Sequence, residues 1–371
     1  MNIGIFTLYG STNYGGVLQY YALSQVLKKL GHNPELVQYE VREILPAMPK
    51  RIVSRITSYT FSEHIHSIPD LINKFLMKKT SFIDLRKDKF LDFNTNNVNI
   101  SIPVKSEELP SFIEKYDILI VGSDQVWSDL NSAHLPLFFD GFDNFKGIKI
   151  SYAACSPKLK VPFHNRKKIQ KLLGEFHAIS VRDSRTKKLL EGIGVKNTEI
   201  VADPTLLYDF SNIGNYNKIG SKYIFCYILG REPRDGHLEA INLIKKQHGN
   251  IKVISIAYPG IQIRDFSDIV IDDASPTEWI ELIKNAECVY TDSFHAVIFS
   301  LKFHTSFLAY YNEVLRSSRL QDLCKTFSLD GRIIQFMSQA SIYKSIDWNH
   351  IDAIKDKLYA SSMEFLIKSL S

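Results

Sequence analysis

Short apolar runs alternate along the chain with longer stretches in which apolar side chains recur every three or four residues. That switching of period predicts strands and helices taken in turn. Residues 2–8 form an apolar run suited to a central parallel strand, and 9–16 are a polar, glycine-bearing loop. From Val17 the apolar residues Leu18, Tyr21, Ala22, Val26 and Leu30 share one helical face, which Gly31 and Asn33-Pro34 terminate before a strand at 35–39. This is a βαβ unit. Further strands are predicted at 117–122, 148–154, 178–181 and 199–202, with a helix over 183–191. A second series has strands at 223–229, 251–256, 287–290 and 305–309, alternating with helices over 235–247, 276–285, 293–303 and 312–326.

Residues 212–220 are polar, carry two glycines and have no periodicity, so they mark the boundary between domains. The fold class that follows is α/β, with two Rossmann-like domains facing a cleft: 1–211, and 221–345. In the tail 351–371, Ile351, Ile354, Leu358, Met363, Leu366 and Leu370 lie near one helical stripe and predict a helix docked across a domain face. Residues from 42 to about 100 lose the rhythm and are rich in Lys, Arg, Ser and Asn, which predicts a basic helical insertion with helices near 63–79 and 80–92. It reads either as a solvated surface or as a lid facing an acceptor or a membrane.

Composition agrees with this division. A chain of 371 residues exceeds the ~250–300 at which single cores stop growing, and 45% hydrophobic with 23% charged residues is the profile of a folded protein. A net charge of +5 favours anionic ligands or a negative membrane surface and falls short of a nucleic-acid footprint. The four cysteines form no CxxC pair and have no clustered histidines, so no metal site is expected. The first residues enter a strand directly, without the pattern of a signal peptide, and no run reaches the ~18 apolar residues of a membrane span. The expectation is a cytoplasmic protein, at the inner face of the membrane if it associates with one, and then only peripherally.

Facing domains of this kind put their strands' carboxyl ends on the shared cleft, so the candidate chemistry is sought in those loops. The loop Gly10-Ser-Thr-Asn-Tyr-Gly-Gly16 leads into a helix N-terminus, whose free amides suit a phosphate or carboxylate, although it departs from GxGxxG and could be a tight turn. Asn13, Gly15 and Gly16 are its candidates. In Gly122-Ser-Asp-Gln-Val-Trp127, the residues Ser123, Asp124, Gln125 and Trp127 offer polar and aromatic groups to a sugar, or else a helix cap and a core tryptophan. Arg182 ends a strand with a guanidinium able to fork onto phosphate or carboxylate, and Asp203-Pro204 is a site residue or a rigid stop. The loop Thr291-Asp-Ser-Phe-His295 sets a histidine beside acidic and hydroxyl neighbours, an arrangement suited to proton exchange or to packing.

In this order and at these intervals the motifs resemble those of the polysaccharide pyruvyl transferase family, over residues 1 to about 335. The pieces are Asn13-Tyr-Gly-Gly-Val-Leu-Gln19, Gly122-Ser-Asp-Gln-Val-Trp127, Val181-Arg-Asp183, Ala202-Asp-Pro204 and Thr291-Asp-Ser-Phe-His-Ala296 before Phe299-Ser300. The resemblance implies an architecture similar to two-domain (GT-B-like) glycosyltransferases, and transfer of a pyruvyl group from phosphoenolpyruvate to two hydroxyls of a sugar. It implies no cofactor, only phosphoenolpyruvate as co-substrate and a sugar acceptor, free or lipid-linked. By position His295 matches the family's histidine and Arg182 its first-domain arginine, with Asp292 assisting His295. Where some members have an arginine two residues before that histidine, this chain has Ser293, so Arg319 and Arg316, with Arg231 behind them, are the candidates for a compensating cation, or else solvated helix charges. A nucleotide-sugar glycosyltransferase and a non-catalytic carbohydrate-binding assembly protein are the alternative readings.

Overall fold

The computed structural model describes residues 1–40, 84–132, 135–213, 219–230, 236–258, 263–311, 314–342 and 344–371, without the side chains of Glu40 and residues 314–317. The first sheet contains β1 (Asn2–Phe6), β2 (Asn33–Leu36), β5 (Ile118–Asp124), β6 (Ile148–Ala154), β7 (Ala178–Val181) and β8 (Thr198–Ile200). Its order is β2-β1-β5-β6-β7-β8, with every pairing parallel. The second contains β9 (Tyr223–Tyr227), β10 (Lys252–Ile256), β11 (Ile269–Ile271), β12 (Cys288–Thr291), β13 (Phe307–Tyr310) and β14 (Ile333–Ile334). Its order is β11-β10-β9-β12-β13-β14, also parallel. Between β2 and β5, the two-residue strands β3 (Tyr39–Glu40) and β4 (Val104–Lys105) pair separately.

The helices are α1 (Tyr14–Lys29), α2 (Lys87–Asn97), α3 (Leu109–Phe112), α4 (Arg166–Gly174), α5 (Ser184–Glu191), α6 (Pro204–Leu207), α7 (His237–His248), α8 (Pro276–Lys284), α9 (Phe294–Lys302), α10 (Val314–Phe327) and α11 (Trp348–Ser369). Crossover helices between parallel strands bury both faces of each sheet, which is why β1, β9 and β12 are almost wholly apolar. One apolar cluster runs through both domains: Tyr14, Val17 and Leu18 of α1 belong to it together with Trp279 of α8 and Phe299 of α9. Across that junction Tyr14 donates its hydroxyl to the Ala274 carbonyl at 2.7 Å and stacks on Trp279, ring centroids 5.3 Å apart.

α11 touches both domains. Ser362 Oγ accepts the Ala202 N–H at 2.8 Å, Phe365 packs on Tyr152, and Lys355 Nζ donates to the Leu301 carbonyl at 3.2 Å. The insertion expected over 42–100 lies outside the described residues as far as 83, as does the helix near 63–79; the helix expected at 80–92 is α2, beginning at Lys87. Strand β2 takes in Pro34, which as an edge position opposite Ile3 loses no ladder bond that a central strand would need. Among the described residues, no helix is long and apolar enough to cross a membrane.

Candidate active site

In each sheet the strand order reverses once, between β1 and β5 and between β9 and β12, and a crevice opens outside the carboxyl ends there. Into these crevices come α1 after β1, Asp124 at the end of β5, and α9 after β12. Asn13 caps α1, its side chain accepting the Gly16 N–H at 3.2 Å, so the first-turn amides of Tyr14 and Gly15 are the ones left without a helical partner. Ser293 caps α9 in the same way, accepting the Ala296 N–H.

At Gly15 the two domains touch. A β-carbon there would stand 2.0 Å from His295 Nδ1 and 2.4 Å from Cγ, so only glycine leaves room for the imidazole against the start of α1. Gly16 carries no such demand, since its β-carbon would make ordinary contacts with Asn13 and Ser11. On its other side His295 Nε2 stands 3.5 Å from Asp203 Oδ2, within ion-pair range and without a hydrogen bond.

Asp203 is fully buried and caps α6, its Oδ1 accepting Thr205 N–H and Oγ1–H at 3.0 and 2.7 Å. Its Oδ2 accepts Arg182 Nη1 at 2.6 Å. Arg182 Nη2 donates to Asp124 Oδ1 at 2.8 Å and to Cys155 Sγ at 3.1 Å, and the guanidinium lies over the Phe294 ring at 4.5 Å. Asp124 is held at φ +71°, a left-handed conformation that aspartate tolerates and that turns its carboxylate onto the arginine. Arg319 of α10 brings Nη1 to 3.8 Å from the same Asp124 oxygen. Two buried guanidinium donors in this cluster, Arg182 Nε and Arg319 Nε, have no hydrogen-bond partner, and His295 Nε2 has only its 3.5 Å approach to Asp203.

Burial works against the ionised form of both carboxylates. Around Asp203 the charges of His295 and Arg182 overcome it and hold the carboxyl far below the usual range. Asp124 is likewise lowered, by Arg182, His295 and Arg319. Burial also lowers Arg319, and the neighbouring Arg182 adds to that. The Cys155 thiol is pushed up to about 12 by burial, so it is neutral beside Arg182.

Several expected residues take other places. Trp127 is no cleft residue: it is fully buried, stacks on Phe138 at 5.1 Å and donates Nε1–H to the Leu137 carbonyl. Ser123 is also fully buried, its N–H and hydroxyl both donating to Gln19 Oε1. Asp292, expected to assist His295, accepts the Leu229 N–H through Oδ1 at 2.7 Å, and the carboxylate at His295 is Asp203. Arg182 was expected to fork onto the donor, but its fork holds two aspartates and only Nε is open. Gln125 is half-buried beyond Asp124. The side chain of Arg316 and the whole of Arg231 lie outside the described residues.

Three contributors were missed. Cys155 directly follows β6, at a strand's carboxyl end like the other site residues. Gln19 sits a turn inside α1, where a polar residue on a buried face is the only signal. Arg86 is 2% exposed, clamped by Asp84 and lying over the rings of Tyr14 and Tyr258, in a segment whose sequence has no rhythm to direct attention to it.

The sequence profile described as Polysaccharide pyruvyl transferase matches residues 13–313. No curated relative matches the chain. Among solved structures, a UDP-N-acetylglucosamine 2-epimerase from Listeria monocytogenes is similar at 11% identity, covering 97% of this chain and 90% of that one, with a TM-score of 0.52. An Arabidopsis thaliana protein complexed with UDP-L-rhamnose is similar at 8% identity, with coverage of 100% and 99% and a TM-score of 0.53. The UDP-GlcNAc 2-epimerase of Methanocaldococcus jannaschii, in complex with UDP-GlcNAc and UDP, is similar at 14% identity, with coverage of 97% and 93% and a TM-score of 0.50. At these identities the likeness is one of fold: two Rossmann-like domains in the arrangement of these enzymes.

Proposed function

Since the chain belongs to the polysaccharide pyruvyl transferase family, we propose that it moves a pyruvyl unit from phosphoenolpyruvate onto two hydroxyls of a sugar, closing a ketal and releasing phosphate. The observation that supports this reading is the pair of unpartnered buried donors on Arg182 and Arg319, in the same cluster of aspartates that holds His295 against the start of α1. A small ligand carrying a carboxylate and a phosphate would satisfy them.

The donor is an enol phosphate, so its methylene carbon must gain a proton as C2 becomes electrophilic. His295, held between Gly15 and Asp203, gives that proton. One sugar hydroxyl bonds to C2, the C2–O bond to phosphate breaks, and the second hydroxyl closes the ketal. Of the two hydroxyl protons, one restores His295 and the other leaves with phosphate. Arg319, the open Nε of Arg182 and the first-turn amides of α1 hold the donor's anionic groups. Asp203 is a positioning residue, tying His295 to Arg182. Ser293 completes the start of α9, while Gln125 and the rim beyond Asp124 face the acceptor.

Phosphoenolpyruvate at about a hundred-fold excess over its Kd raises the melting temperature by roughly 4 °C, and UDP-GlcNAc does not. His295→Ala keeps that shift and loses about 10²–10⁴-fold in phosphate release from phosphoenolpyruvate with sugar present. A shift with UDP-GlcNAc alone would replace this reading with that of a nucleotide-sugar enzyme. Undiminished turnover in His295→Ala would remove the histidine from the chemistry.

A further inference from the structure

The segment joining β6 to α4 starts in the site and ends on the surface. Cys155 receives Arg182 Nη2, Ser156 N–H donates to Thr186 Oγ1, and Arg185 Nη1 donates to the Pro157 carbonyl at 3.3 Å. A few residues on, Leu159 is 40% exposed and Phe163 86% exposed. Neither exposure results from a loose loop. Val161 between them is buried, and Asn165 Nδ2 donates to the carbonyls of Leu130 and Ser132 at 2.8 and 3.0 Å, so the segment is pinned with its two apolar side chains outward.

The charge around them has one sign. Residues 157–174 contain no Asp or Glu, and Lys160, Arg166, Lys167 and Lys171 are exposed within them. Arg166 lies over the Phe163 ring at 5.9 Å. The acidic groups on the elements packed against the patch are engaged: Asp140 with Lys168, and Asp129 with Asn131 and Ser132. A single exposed aromatic is ordinary on a protein surface. An outward aromatic and an outward leucine inside an acid-free basic stretch match what the boundary of an anionic bilayer requires, apolar groups to enter it and cations to meet its headgroups. A nucleic acid or acidic glycan would use the cations and leave Leu159 without a role.

We propose that this patch docks the protein peripherally on an anionic lipid bilayer, with Phe163 and Leu159 entering the interface and Lys160, Arg166, Lys167 and Lys171 meeting the headgroups. Because the segment begins at Arg182's own partner, docking brings the rim of the cleft to the membrane surface. The proposal does not depend on pyruvyl transfer, since binding is read without turnover.

The test is cosedimentation of the full chain with vesicles of phosphatidylcholine alone or mixed with phosphatidylglycerol. Binding is expected to the mixed vesicles only, weakened about ten-fold by Phe163→Ser and about five-fold for each of Lys160→Gln and Lys167→Gln, with rising salt weakening all of them. The substituted side chains are exposed, so melting temperatures stay at the wild-type value. Failure to bind mixed vesicles at low salt overturns the proposal. So does vesicle binding that Phe163→Ser leaves unchanged, or binding to heparin without binding to vesicles, which would mark a polyanion site instead.

Discussion

A β-carbon at position 15 would stand 2.0 Å from His295 Nδ1, and neither partner can retreat easily: Gly15 lies in the first turn of a buried helix and His295 in that of another. Gly15→Ala is therefore expected to push the imidazole off Asp203 and cut kcat at least ~10²-fold, as small misplacements of a reacting group do. Gly16→Ala, with room for its methyl, is expected to stay near wild-type turnover. Steady-state kinetics of the pair separates geometry from a general dislike of alanine in α1.

Asp203 gives a prediction in pH. Its carboxyl is depressed in the folded chain, so the stability it contributes is complete above the unfolded value of about 3.9 and is lost as pH falls toward the folded one. The difference in melting temperature between the wild type and Asp203→Asn should be constant from about pH 7 to 5 and shrink below about pH 4. A difference independent of pH would mean that Asp203 acts only as the cap of α6.

At the scale of elements, two helices from opposite domains are latched beside the site. Ser184, the first residue of α5, donates its N–H and hydroxyl to the two carboxylate oxygens of Asp322 in α10 at 2.8 and 2.9 Å. Arg319 lies one turn before Asp322 on that helix. Asp322→Ala removes two charge-assisted bonds and is expected to cost about 1–3 kcal/mol of stability. It should also raise KM for the donor more than it lowers kcat, because Arg319 loses its brace; titration of donor affinity by melting shift checks this.

The elements themselves were largely legible. The apolar runs that became β1, β6, β7 and β9 could hardly be anything other than strands buried on both faces, and α9 announced itself as an apolar helix behind a hydroxyl cap. Less visible were α4, whose buried face is only Ile169, Leu172 and Leu173 among lysines, and β11, a three-residue edge strand. The same limit applied to individual side chains. A motif gives the place of Trp127 and Ser123 on a loop but not their direction, and the left-handed turn at Asp124 decides which groups face the cleft. Likewise the carboxylate beside His295 comes from Asp203 of the other domain, a pairing that no sequence spacing encodes.

Across the whole molecule, each sheet reverses its strand order once, the first after its second strand and the second at its middle, and the helices that leave those points, α1 and α9, meet at Gly15 and His295. Two basic groups and two carboxylates balance there, Arg182 and Arg319 against Asp124 and Asp203. The architecture alone does not choose a donor: two proteins similar in fold are complexed with UDP-L-rhamnose and with UDP-GlcNAc and UDP. What separates this chain is the content of the crevice and its family. The most direct measurement is mass spectrometry of the source organism's surface glycan, made in cells carrying either the wild-type chain or His295→Ala. The wild type is predicted to add one pyruvyl ketal per modified sugar and the variant none. Glycans of identical mass, both without the ketal or both with it, would contradict the account.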